Sequence, residues 1–153
     1  MAVTIEDIED GFIAAFEPLK ISVAVRDIKS YQAELATEDE IKRAARILPA
    51  ILVVYGGSVF EEHGSRKLEK LRFVIFVCDK NLRGEAGARR GSTENPGTYA
   101  MLAAVRDAVV GQQFGLEIHP VRPGPVNAVY MDKGVSVYAA EYWTAYGHLY
   151  TGG

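Results

Sequence analysis

Three histidines, one cysteine and a glycine- and arginine-rich loop are the parts of this 153-residue chain with the residue types for chemistry. His63 falls in a charged turn, His119 precedes a proline and His148 lies near the C-terminus, and none stands at ligand spacing from a second His or Cys. The expectation is no metal site. Glu61-Glu62-His63 has the groups for acid–base work, yet a solvent-facing turn supplies no desolvation to shift a pKa. Cys78 ends an apolar run and has no second cysteine to bridge, so it reads as a buried, reduced thiol suited to a reducing cytoplasm. From Lys80 to Gly97, Gly84, Gly87, Gly91 and Gly97 alternate with Arg83, Arg89 and Arg90. That composition suggests a phosphate cradle, but the Gly-x-x-x-x-Gly-Lys-Ser/Thr pattern is missing. The loop reads instead as a long, flexible, basic segment that orders against a protein partner.

Gly-x-Ser-x-Gly, a strand-borne Gly-x-Gly-x-x-Gly and Cys-x-x-Cys are also missing, so neither catalysis nor a cofactor is expected. Net charge is −3 but unevenly spread. Residues 64–90 hold eight basic and three acidic side chains, whereas the rest of the chain holds nine basic and seventeen acidic. Such segregation suits binding to copies of itself or to an acidic partner. Aromatics do not interleave with the basic residues as stacking platforms would, so specific nucleic-acid reading is not expected. With neither a leader-like N-terminus nor an apolar run of about 18 residues, neither secretion by a cleaved signal nor membrane spanning is expected.

The elements that must carry these residues are organised around Pro49–Asp79. Ala50–Phe60 and Lys67–Cys78 are rich in β-branched and aromatic residues and flank a charged turn at residues 61–66, the pattern of a long β-hairpin. Its apolar roots belong in a sheet core and its polar tip projects. Before it, Thr4 caps a helix whose Ile5, Ile8, Phe12, Phe16 and Leu19 form one stripe that Pro18 ends. Glu6, Asp7, Glu9 and Asp10 load the start of that helix with negative charge. Ile21–Val25 alternates as a short strand, residues 26–36 cross the surface, and Thr37 to Glu40 is a capping box opening a helix that Pro49 stops. After the loop, Asn95 caps and Pro96 opens a helix to about Gln112, with Leu102, Val105 and Val109 on one face and Gly115 beyond it. Val126–Met131 and Val135–Tyr146 form a second hairpin around Asp132-Lys133-Gly134. Its second strand is apolar on both faces, with Val135, Val137 and Trp143 on one and Tyr138, Tyr142 and Tyr146 on the other. Such a strand is central in its sheet or covered by another subunit. Gly152-Gly153 is expected to fray. The expected fold is a single α+β domain over residues 1–153, with a mixed, mainly antiparallel sheet, a long hairpin and two to three packed helices.

The order of features carries a resemblance. An acidic capped helix is followed by Pro49-Ala-Ile-Leu-Val-Val-Tyr-x-Gly57-Ser58, a charged hairpin returning through Phe73-Val-Ile-Phe-Val77, and an Arg/Gly loop. Then come Gly97-x-Tyr-x-x-Leu-x-x-Val-Arg-x-Ala-x-x-Gly111 and an aromatic last strand. Over nearly its whole length the chain resembles the Mu-type phage tail-terminator family. The resemblance implies a virion structural protein, assembled in the bacterial host cytoplasm and located in the virion tail. Its subunits would close into a ring, commonly a hexamer, on the end of the tail tube. The ring would stop polymerisation and present a joining surface to neck or head, with sheath proteins as further partners.

On that reading the basic middle (Arg66, Lys67, Lys70, Arg72, Arg83, Arg89, Arg90) pairs with the acidic helix of a neighbour. Tyr138, Tyr142 and Trp143 are buried between copies, and the hairpin tip and the Arg83–Arg90 loop order on the tube or neck. The alternative from another class is a small cytoplasmic enzyme or ligand-binding α+β domain, which would show a well-formed apolar pocket with converging polar groups.

Overall fold

The computed structural model describes residues 2–81, 84–92 and 95–149. Arg83 and the Gly152-Gly153 end lie outside the described residues. The first helix, α1 (Ile5–Phe16), starts as its sequence dictates. Thr4 N–H donates to Asp7 Oδ2 at 2.9 Å and Asp7 N–H donates to Thr4 Oγ1 at 3.1 Å, so two of the otherwise orphan donors are satisfied reciprocally. Ile8, Phe12 and Phe16 are fully buried. Gly11 has a packing reason, because a Cβ there would sit 2.6 Å from the ring of Phe114.

Pro18 ends α1 but also opens a one-turn helix, α2 (Leu19–Ser22), in place of the strand expected at Ile21–Val25. Its carbonyl accepts from the N–H groups of Ile21 and Ser22, a role the fixed φ of proline favours. The first strand, β1, lies further on, at Asp27–Ser30. Four residues with one buried side chain, Ile28, give too short and too polar a pattern to announce a strand. The next helix, α3 (Glu38–Ala44), is capped by Thr37, which accepts from Glu40 N–H at 3.1 Å. It continues as a 3-10 turn to Ile47 before Pro49.

Four long strands follow: β2 (Ala50–His63), β3 (Arg66–Lys80), β4 (Arg122–Asp132) and β5 (Val135–Leu149). They form one sheet with β1 in the order β1-β2-β3-β5-β4, parallel between β1 and β2 and antiparallel elsewhere. The α+β architecture is the expected one. Both hairpin turns are tighter than expected. Pairing runs to His63↔Arg66, so most of the charged turn is strand and only Gly64-Ser65 turns. Asp132↔Val135 leaves the two residues Lys133 and Gly134, both with positive φ, as a primed hairpin turn requires.

One face of the sheet is covered by α1 and by α5 (Thr98–Val109). Phe12, Phe16, Met101, Val105 and Val109 meet Ile51, Val53, Phe73, Ile75, Val77 and Tyr142 there. The helix stripe is therefore Met101, Val105 and Val109, with the expected Leu102 only half-buried. Among the described residues the other face has its buried apolar cluster at one end, where Ile41 and Leu48 pack on Ala50, Leu52, Cys78 and Val137. Burial pushes the Cys78 thiol pKa up, so the thiolate that reacts is strongly disfavoured.

The segment from Lys80 to Gly97 contains a short helix, α4 (Glu85–Arg90), and is anchored by Asp79. The buried Asp79 carboxylate accepts from Lys80 N–H at 2.7 Å, Asn95 Nδ2 at 3.0 Å and Gly97 N–H at 2.7 Å. Asn95 also donates to the Lys80 carbonyl at 2.6 Å, so it ties the loop instead of capping α5. Gly97 takes the cap position with φ 83°, and α5 ends at Val109 instead of reaching Gln112. The Asn-Pro pair was misread because an acceptor sixteen residues away outcompetes local capping.

Candidate assembly surfaces

The hairpin root and its tip are built differently. Strand β1 pairs β2 only from Ala50 to Val53, with Tyr31 N–H adding one bond to the Val53 carbonyl at 2.8 Å. Beyond Val53, β2 has a free outer edge among the described residues, running about ten residues or roughly 30 Å. The arm formed by β2, β3 and β5 thus leaves the helices behind, and its chemistry changes accordingly. Where Phe73 and Ile75 face helices, the same face further out carries a polar network. Ser58 Oγ donates to the buried Glu69 carboxylate at 2.6 Å, Tyr55 hydroxyl bonds Ser58, and Tyr146 bonds Glu69. Burial, followed by the Glu69 charge, lifts Tyr146 to about 12.

On the opposite face ion pairs lie flat across the strands. Lys70 Nζ meets Glu61 at 2.6 Å and Arg72 Nη1 meets Glu141 at 3.0 Å. The Gly56-Gly57 doublet makes the second pair possible. A bulge at this point turns the Gly56 carbonyl to accept from Arg72 Nη2 at 2.6 Å, and a Cβ on Gly56 would lie 2.8 Å from Arg72 Nε. Val59 and Phe60, 53% and 55% exposed, leave an apolar tip on the free edge, with Lys67 Nζ 5.8 Å from the Phe60 ring centre.

The basic middle of the sequence is not one patch. Strand β3 runs the length of the sheet, so Arg66 and Lys67 lie at the arm end and Lys80 at the other, roughly 45 Å away. Lys70 and Arg72 are neutralised within the subunit. Arg89 and Arg90 sit on α4 at the far end, Arg89 half-buried near Met131 Sδ at 3.8 Å and Arg90 exposed. Proximity in sequence measured position along one strand and not proximity in space.

The three aromatics separate as well. Tyr142 is 3% exposed, with its ring centre 6.4 Å from that of Phe12, and burial lifts it to about 12. It is committed to its own subunit's core and reaches the surface only at the floor of a groove. Tyr138 is half-buried beside Tyr99, their ring centres 6.1 Å apart, and Trp143 is half-buried on the opposite face. Strand alternation placed Tyr142 and Trp143 on different faces correctly; it carries no information on which face the helices cover.

Two grooves flank β4. One, of about 530 Å3, lies beneath the arm among Val59, Leu68, Lys70, His119, Arg122 and Trp143. The other, of about 370 Å3, runs between α5 and β4 and is lined by Tyr99, Leu102, Arg106, Val126 and Tyr142. Sequence reasoning missed this second surface. The exposure of Tyr99 (49%), Val126 (50%), Val129 (46%) and Met131 (38%) depends on β4 being an edge strand, which only the strand order shows. Among the described residues no three His, Cys, Asp or Glu side chains gather as metal ligands, and no helix is long and apolar enough to cross a membrane.

A comparison with curated proteins returns no significant match. A protein-family model, described as Bacteriophage Mu, Gp37, does match, and it spans residues 4–147. That span takes in α1, the arm, the loop with α4, α5 and nearly all of the last hairpin, so the chain belongs to the Bacteriophage Mu Gp37 family.

Proposed function

We propose that this chain is the tail terminator of a Mu-type phage, prophage or phage-tail-like particle. Its copies close into a ring, commonly of six, on the last ring of the tail tube, stop polymerisation there and offer the joining surface to neck and head. The observation that carries this reading is the family match over residues 4–147. The distribution of surface chemistry supports it. The catalytic motifs are missing from the sequence, and apolar side chains are exposed on both flanks of the sheet, at Phe60 on β2 and at Val126 on β4. Head-to-tail tube contacts do not close on themselves, so growth stops only when a unit matches the tube end on one side and lacks that match on the other. The exposed side chains of β2 and β4 lie on opposite flanks of the sheet, which leaves each copy an uncovered side toward each neighbour in a ring. The role is structural and not enzymatic.

The small-enzyme or ligand-binding alternative rests on the 530 Å3 groove. Within it Lys70 is already tied to Glu61, so that cation does not converge on the space.

The test is tube length. Particles lacking this chain are expected to carry overlong, headless tubes by electron microscopy, and adding the purified protein to growing tubes should fix their length. Normal, head-joined tails in its absence would overturn the reading.

A further inference from the structure

A closed ring of three or more copies joins two different patches, one on each flank of the subunit. Resting on the ring reading above, we propose that the exposed Phe60 at the arm tip of one copy seats in the α5–β4 groove of the next. Four observations carry this seam. The two surfaces lie on opposite flanks of the sheet, β2 and β4 being separated by β3 and β5. Both expose apolar side chains that their own subunit leaves largely uncovered: Phe60 on the arm, Tyr99 and Val126 at the groove.

One opposite-charge pair can close across the seam, beside Lys67, the cross-strand neighbour of Glu62 whose Nζ lies 5.8 Å from the Phe60 ring centre. Glu62 stands two residues from Phe60 on the same strand face and is exposed, while Arg106 lines the groove. Arg106 Nε lies 3.9 Å from the exposed Asp107 on the same helix. Glu141 also lines the groove but is held by Arg72. Finally, Pro123 and Pro125 remove two N–H groups from β4, so this edge cannot offer a full ladder for indefinite strand addition. A side chain inserted in a groove suits a contact that must close after a fixed number of copies.

The experiment compares the whole chain with Phe60→Ser, Val126→Glu, Glu62→Arg, Arg106→Glu and the double variant Glu62→Arg/Arg106→Glu. Each is measured by light scattering and native mass spectrometry, alone and with purified tail tubes, and circular dichroism verifies the fold. All the substituted side chains are at the surface. The expected result is rings for the wild-type chain, at least tenfold weaker association for each single variant with an unchanged fold, and recovery in the double charge swap. Rings of wild-type strength from Phe60→Ser and Val126→Glu would place the seam elsewhere while leaving the ring reading standing. Intact rings that no longer bind tubes would show that these patches meet the tube protein, which also overturns the seam. A wild-type chain that neither self-associates nor caps tubes would remove the ring and the seam together.

Discussion

The root and the arm of the same three strands solve the same problem by different means. At the root, cross-strand neighbours such as Val53 and Ile75 are fully buried under α1 and α5, and stability comes from apolar area removed from water. In the arm, helices are replaced by Ser58–Glu69–Tyr146 on one face and by Lys70–Glu61 and Arg72–Glu141 on the other. The arm is held in shape by polar bonds that leave its edge and tip unoccupied. The lesson is that strand length and cover are independent: a sheet can outrun its core if its polar groups satisfy one another, and the overhang then serves contacts outside the subunit.

The largest expected effect tests the contrast directly. Phe12→Ala, at the centre of the covered face, should cost about 3–5 kcal/mol in denaturant unfolding. Phe60→Ser, in the arm, should change stability by no more than about 0.5 kcal/mol. Equal costs would erase the distinction. Next, Ser58→Ala takes a donor from the buried Glu69 carboxylate and should cost about 1–2 kcal/mol, more than an arm held loosely would register. Arg72→Ala removes an ion pair whose side chains are 38% and 19% exposed, and solvent screening limits its cost to about 1 kcal/mol.

The smallest effect is a pH dependence at the root. Burial raises the Asp79 pKa against the pull of its Lys80, Gly97 and Asn95 donors. A raised folded value means that this group's stabilisation is complete below the ordinary aspartate range and is lost as pH rises through the raised value. The stability of Asp79→Asn relative to wild type should therefore increase with pH across that window, as followed by urea titrations at stepped pH. A flat difference would show that the donors fully offset burial.

Much of the root was legible because its signals are local. Thr4 and Asp7 sit three apart, Ile8, Phe12 and Phe16 recur at helical spacing, and the β-branched runs flanking residues 61–66 announce the hairpin. The misreadings share one cause, which is that the deciding partner is distant in sequence. Asp27–Ser30 becomes a strand only because Ala50–Val53 lies beside it, and Asn95 leaves its capping role for Asp79 and Lys80. The basic middle looked like a patch because β3 is long. The assembly surfaces were the least legible part, since exposure of Val126 and Phe60 follows from strand order and from where β1 stops.

The central claim is that the arm and the β4 side stand uncovered in the lone subunit and are covered by assembly. Hydrogen exchange on the free chain and on the chain bound to tail tubes measures this peptide by peptide. The account predicts slowed exchange in the outer edges of β2 beyond Val53 and of β4 around Val126–Met131, with the Phe73–Val77 root unchanged. Unaltered exchange in both edges of tube-bound protein would contradict it.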